Sequence, residues 1–273
     1  MKKSIAPKTA TILILLVGLS GCATAGESTH MDPLSCSEQL VGSSESEQGE
    51  LDSEDIRLVN WNIQKGGDPQ WVSDLAAAHH QPNLLVLQEV PLNSDRWEAL
   101  NRGEYHSFSA GYRTSRSMTG VMTVSIAKPL TECRLVSVEP WLRSPKATLI
   151  TEYGLTHTDQ TLLVVNIHSL NFTFGLRDFR KQIRQAQSVL NNHAGPILLS
   201  GDFNTWHGLR SKTLKTITDS LDLTMVDYDE DHRKRFFGQP LDHIYVRGLE
   251  VLEATTHAVD SSDHSPMSVR LRL

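Results

Sequence analysis

Short apolar runs closed off by polar residues dominate the chain from residue 56 onward, and they alternate with segments of helical periodicity. Residues 56–63 alternate apolar and polar and predict a strand. After it Asp68 can cap a helix and Pro69 can open it, because the missing proline N–H is harmless in a first turn. The run 83–90 predicts a buried strand, followed by a short helix near 94–101. Further strands are predicted over 105–110, 120–127, 147–153 and 161–168. The clearest helix begins near Gly175, where Leu176, Phe179, Ile183, Ala186 and Leu190 share one face and Gly195-Pro196 stops it. A strand at 196–200, a helix at 209–221 and closing strands at 242–247 and 267–273 complete the pattern. Many strands, few long helices and no fixed-period repeat predict two sheets packed together with helices outside.

Composition changes this picture mainly at the N-terminus. With 39% hydrophobic and 21% charged residues among 273, the chain is neither disordered throughout nor a polytopic membrane protein. Lys2, Lys3 and Lys8 precede an apolar run, Thr11 to Leu19, that is too short to span a bilayer. It ends in Leu19-Ser20-Gly21-Cys22, which resembles the lipobox of bacterial lipoproteins. The expectation is therefore a signal peptide over 1–21, export, and a membrane anchor through lipid on Cys22; Ala23 after the cysteine leans towards the outer membrane. An ordinary secretory signal cleaved near Ala23–Ala25 is the alternative. Residues 22–55 carry nine carboxylates and no lysine or arginine, in a Ser- and Gly-rich stretch without apolar periodicity, and read as an acidic tether. The remaining domain, 56–273, is formally neutral, unlike a protein that relies on bulk attraction to phosphate. Cys36 and Cys133 can form a disulfide in an oxidising compartment or stay as two free thiols, and they are too sparse for a zinc cluster.

Polar residues interrupt the apolar runs at recurring places. Asn62, Gln88 and Glu89, Asn166 and His168, Asp202 and Asn204, Asp242, and Asp263 with His264 all fall at predicted strand ends. Taken singly, a buried acid is usually paired structurally and a strand-end histidine usually packs. Taken together, they point to one cleft at a sheet edge.

These residues carry a resemblance. Asn60-Trp-Asn-Ile63, Leu87-Gln-Glu89, Asn166-Ile-His168, Ser200-Gly-Asp-Phe-Asn204, Leu241-Asp-His-Ile244 and Ser262-Asp-His264 stand in the order of the endonuclease/exonuclease/phosphatase family. The match spans about 56–273, and it is specific because the motifs occur together and in order. Trp141 to Thr148 and Phe237 to Asp242 further resemble small, poorly characterised bacterial members. The resemblance implies a deoxyribonuclease I-like fold, a four-layered α-β-β-α sandwich. It also implies hydrolysis of phosphate esters with Mg2+ or Mn2+, on nucleic acid, phospholipid or a small phosphodiester.

Such chemistry must neutralise an anionic phosphate, activate water and stabilise a leaving oxygen. By the resemblance, Glu89 binds the metal with Asn62 alongside, and Asp263 helps to carry it. Asp202 orients or deprotonates water, Asn204 donates to a nonbridging oxygen, and Asp242 holds His264 in its tautomer. His168 contacts phosphate or assists the leaving group. Arg143 and Lys146 are candidate phosphate ligands, with an ordinary surface role as the alternative.

Weaker signals remain. Arg177, Arg180, Lys181 and Arg184 recur at helical spacing opposite the apolar stripe and read as a solvated face, or as a contact for anionic lipid or nucleic acid. His79-His80 reads as surface, Asp231 to Arg235 as a charged loop near the cleft rim, and Trp206 as packing or a stacking platform. Two other classes compete with the phosphoesterase: a catalytically idle surface lipoprotein that keeps the fold for binding, and a serine hydrolase using Ser262, Asp263 and His264. The latter is weak, since three adjacent residues cannot form a triad and no Gly-x-Ser-x-Gly elbow occurs. No protein partner is inferred.

Overall fold

The computed structural model describes residues 30–41, 49–78, 81–92, 105–113 and 118–273. The expected signal peptide, Cys22, the helix expected near 94–101 and His79-His80 lie outside the described residues.

Two six-stranded sheets form the body. In the first, β1 (Ile56–Asn62) lies between β14 (Met267–Arg272), antiparallel, and β2 (Leu84–Pro91), parallel. β13 (Glu250–Thr256) extends it on one side, and β4 (Met118–Ser125) with β3 (Tyr105–Arg113) on the other. In the second, β7 (Thr161–His168) and β8 (Ile197–Asp202) run parallel at the centre. They are flanked by β6 (Pro145–Gly154) and β5 (Thr131–Val138) on one side, and by β12 (Asp242–Arg247) and β9 (Thr224–Met225) on the other. A two-stranded hairpin, β10 (Arg235–Phe236) and β11 (Gln239–Pro240), stands apart.

Alternation on the strands decides the layers. Leu58, Leu84, Val86, Val164, Leu198, Ile244 and Val269 share one buried cluster between the sheets. The opposite faces of those strands take helices. Val59, Trp61, Leu85 and Leu87 pack against Trp71, Leu75 and Ala78 of α2 (Trp71–Ala78). Leu163, Val165, Ile197 and Leu199 pack against Phe179, Ile183 and Leu190 of α3 (Arg177–Leu190) and Leu214 of α4 (Gly208–Asp219). The result is the expected α-β-β-α sandwich, because strands covered on both faces can be apolar at every position.

The stretch read as a tether contributes to the fold. Asp32 caps α1 (Pro33–Gln39), its carboxylate accepting from the backbone of Leu34 and Ser35. Cys36 is buried and bonded to Cys133 of β5, with Cα atoms 5.5 Å apart. Leu51 is also buried and bridges Leu155. The acidic composition hid these contacts because a single cysteine and a single leucine anchor them.

Candidate active site

Strand register gathers the polar positions. Asp202 ends β8 opposite His168 of β7 on one side and Asp242 of β12 on the other. In the facing sheet Asn62 ends β1 opposite Gln88 of β2, one residue before Glu89. The sheets therefore meet at one edge carrying all these groups, and Asn62 Nδ2 donates across to Asp202 Oδ2 at 3.1 Å.

Local backbone irregularities aim the side chains. The β2–β4 register slips between Leu87 and Val90, and Glu89 sits there at φ 53°. A bulge of this kind re-aims one side chain, which here brings the carboxylate to the cleft. Asn204 likewise has φ 49° just after β8, its backbone N–H bonded to Asp202 Oδ1 at 2.9 Å. Gly201 is required by close approach, since a Cβ there would collide with the Ile167 carbonyl.

Two dyads dominate the chemistry. His264 Nδ1 lies 2.7 Å from Asp242 Oδ2, and His264 Nε2 is 3.8 Å from Asp202 Oδ2. Burial alone would lower the His264 pKa, but Asp242 and Asp202 outweigh it and push it up to about 10. The imidazole is thus a cationic donor. On the other side, His168 Nε2 lies 2.7 Å from Lys146 Nζ, 3.5 Å from Asp202 Oδ2 and 3.9 Å from Glu89 Oε1. Burial, then the charges of Lys146, His264 and Lys65, hold His168 well below the ordinary histidine range, so this imidazole is neutral. With Lys146 donating, its Nε2 accepts. Asp202, almost fully enclosed, is pushed up to about 6 by burial, although the His264 charge pulls the other way.

Two hollows open beside these groups. One of about 310 Å³ is lined by Lys65, Glu89, Tyr112, Leu142, Lys146 and His168. The other, of about 390 Å³, is lined by Asn171, Phe172, Asn204, Trp206, Phe236 and Leu241. Both are wide enough for a small-molecule substituent.

The donor set fits a hard divalent ion. Asp202, Asp242 and His264 each place an atom within 4.8 Å of one another, but the cationic His264 has no lone pair to give a metal and engages both carboxylates, so this cluster serves proton transfer. Glu89 is the carboxylate open to the cleft that can hold the ion, next to Lys65 at 3.2 Å. Carboxylate oxygens of this kind suit Mg2+-type ions.

Of the sequence-derived candidates, Asn62, Glu89, Lys146, His168, Asp202, Asn204, Asp242 and His264 converge. Asp263 is mostly exposed, its carboxylate 4.0 Å from His264 Nε2. Arg143 is exposed on a turn, and no side-chain contact joins it to the cleft among the described residues. Gln88 and Asn166 bond to one another at 2.9 Å between the sheets and hold them in register rather than facing the cleft. Ser262 Oγ donates to Asn62 O at 2.7 Å and accepts from His264 N at 3.1 Å, so its hydroxyl caps a turn and cannot be a nucleophile towards His264.

Three supporting cations complete the site; Arg233 belongs to the charged loop expected near the cleft rim, whereas no sequence pattern marked Lys65 and Arg210. Lys65 has φ 61° in a tight turn after β1 and neutralises Glu89. Arg233 is buried and donates to Asp242 O at 3.0 Å, with Asp231 bonded to its other nitrogens. Arg210, buried on α4, donates to Leu170 O, Asn204 O, Asn171 O and Thr173 Oγ1 at 2.7–3.0 Å and so ties the loops after β7 and β8 together.

Residues 59–264 match the model described as Endonuclease/Exonuclease/phosphatase family. A UPF0294 protein of Vibrio vulnificus is 34% identical over 256 residues, covering 92% of this chain and 87% of its own. A UPF0294 protein of Yersinia pseudotuberculosis is 35% identical over 222 residues, covering 80% and 84%. Among solved structures, the human Nocturnin catalytic domain with bound sulfate anion has a TM-score of 0.63 at 16% identity, over 83% of this chain and 96% of that one. ANGEL2, a 2',3'-cyclic phosphatase, in complex with adenosine-2',3'-vanadate, has a TM-score of 0.58 at 15% identity, over 86% and 99%. At such identities the structural likeness speaks to the fold.

Proposed function

We propose that this chain, which belongs to the endonuclease/exonuclease/phosphatase family, is an exported, divalent-metal-dependent phosphoesterase, anchored to a bacterial membrane through Cys22, that hydrolyses a P–O bond of a phosphodiester or nucleic acid with an activated water. One observation carries the reading: Asp202 stands between a cationic His264 and a neutral His168, all three buried at one sheet edge.

Each group has a chemical task. Asp202, held near neutrality by burial, takes a proton from the attacking water or orients it towards phosphorus. His264, fixed through Nδ1 by Asp242, presents Nε2–H to a phosphate oxygen as negative charge builds there. Asn204 spends one amide N–H on Ser169 O at 3.0 Å and offers the other to a nonbridging oxygen. Lys146 forms the opposite wall, where its ammonium, held by His168 Nε2, meets the remaining phosphate oxygens. Glu89, with Asn62 and Asp263 alongside, would hold Mg2+ or Mn2+, whose chemistry is to neutralise phosphate charge and acidify bound water. The P–O bond to the departing group then breaks, the leaving oxygen takes a proton from solvent, and Asp202 releases to solvent the one it took from water.

The hollows flanking this centre suit substituents on both sides of a phosphodiester. A panel of plasmid DNA, RNA, sphingomyelin, inositol phosphates and a nitrophenyl phosphodiester, each with Mg2+ or Mn2+, tests the reading. Metal-dependent release from at least one of them is expected. Binding without turnover across the panel would instead favour the idle lipoprotein.

A further inference from the structure

The outer face of α3 carries cations that the chemistry above does not use. Arg177, Arg180, Lys181 and Arg184 line one hollow of about 500 Å³ together with Pro33 of α1. All four are exposed. Arg177 pairs with Asp178 at 3.2 Å, and the other three make no ion pair among the described residues. Their spacing places them in one row.

Directly ahead of this row stands an apolar tip. The turn after β5 presents Trp141 and Leu142, which are 61% and 63% exposed, and the loop into α3 presents Phe172 and Phe174, at 56% and 66%. Trp141 and Phe174 pack against each other with ring centroids 4.0 Å apart and planes tilted by 60°. Exposed aromatic and aliphatic side chains beside a basic row are the surface chemistry of an interfacial protein, with rings at the headgroup boundary and cations on anionic headgroups.

A basic, aromatic surface also suits single-stranded nucleic acid. Two features favour lipid. First, the N-terminal segment leaves the fold at this face, since Pro33 lines the basic hollow and Met31 N donates to Arg134 O of β5 at 2.8 Å. The chain between Cys22 and Met31 then spans at most on the order of 30 Å, so lipid on Cys22 would hold this side close to the bilayer. Second, the tip walls the cleft: Leu142 lines the hollow with Glu89 and His168, and Phe172 the one with Asn204.

We infer that the cation row of α3 and the tip formed by Trp141, Leu142, Phe172 and Phe174 are a docking surface for an anionic membrane leaflet, which turns the mouth of the cleft towards lipid headgroups. The substrate would then be met at the membrane surface. Docking needs no turnover, so it stands or falls separately from the phosphoesterase reading.

The test uses the full-length chain reconstituted in vesicles of phosphatidylcholine, with or without phosphatidylglycerol, carrying brominated acyl chains that quench tryptophan on contact. The Trp141 signal is isolated by difference from Trp141→Leu. Quenching of Trp141 is expected on phosphatidylglycerol vesicles, falling about fivefold in docked-to-free ratio for each cation neutralised among Arg180→Gln, Lys181→Gln and Arg184→Gln. It should also fade near 1 M salt, where the Debye length is about 3 Å; this arm needs no variant. An unchanged urea-unfolding midpoint of the triple variant excludes misfolding as the cause of lost quenching. Absence of Trp141 quenching on anionic vesicles, or quenching indifferent to both salt and the three substitutions, would overturn the assignment. Oligonucleotide binding through the same cations, with Trp141 unquenched, would overturn it in favour of nucleic acid.

Discussion

Replacing Arg210 with methionine separates positioning from chemistry at this site. The thioether keeps an unbranched apolar stem of similar reach against Phe179 and Trp206, over which the guanidinium now lies at 4.7 and 5.1 Å. Four donated bonds are lost. Asn171 and Thr173 are half-buried and can take water, but Leu170 O and Asn204 O belong to buried residues. Each acceptor left without a partner costs about 1–3 kcal/mol, and the lost cation–π contacts add about 0.5–2 kcal/mol. Part of this is offset because burying the guanidinium is itself unfavourable; burial holds its pKa down to about 10. A net loss of about 2–4 kcal/mol should appear in urea denaturation, or as a fall in Tm on the order of 10 °C. On a nitrophenyl phosphodiester, kcat should fall about 10- to 100-fold, because loosening Asn204 forfeits part of the 100- to 1,000-fold carried by one transition-state donor. Arg210→Met within about 0.5 kcal/mol of the parent and equally active would refute the claim that Arg210 positions these loops.

Three further outcomes are expected. The Cys36–Cys133 bond closes a loop across a sequence separation of 97 residues, so the double serine variant should lose about 2–4 kcal/mol; equal unfolding midpoints with and without reductant would count against it. Because burial raises the Asp202 carboxyl to about 6, its base form is present above that pH and lost below it. The parent kcat/KM should therefore decline on the acid side of about pH 6, and a flat profile there would remove Asp202 as base. Labelled palmitate should enter the parent chain and not Cys22→Ser; equal incorporation would remove the anchor.

Strands covered on both faces were the legible part of the fold. β7 and β12 run over 161–168 and 242–247 as their apolar runs predict. β5 and β13 escaped notice for a physical reason. β5 alternates buried residues with Glu132 and Arg134 on its other face, and β13 is a largely exposed edge strand with almost no apolar pattern to read. The site was legible where polar residues end apolar strands, since few other reasons place Glu89, Asp202 or Asp242 there. Lys65 and Arg210 were not, because a lone basic residue acquires meaning only from what the fold sets beside it. Arg143 and Lys146 show the difference three residues apart: Lys146 lies at the start of β6, second after Pro145, and reaches His168, whereas Arg143 faces solvent.

In the proposed mechanism Asp202, Asp242 and His264 work as one hydrolytic unit beside a separate metal ligand, Glu89. Its most direct test measures Mn2+ affinity by calorimetry and initial rates on a nitrophenyl phosphodiester for Asp202→Asn and Glu89→Gln together. Asp202→Asn is expected to stay folded and bind metal yet lose about 100- to 10,000-fold in rate, while Glu89→Gln is expected to lose affinity and rate together. A folded Asp202→Asn protein with full metal-dependent activity would contradict it.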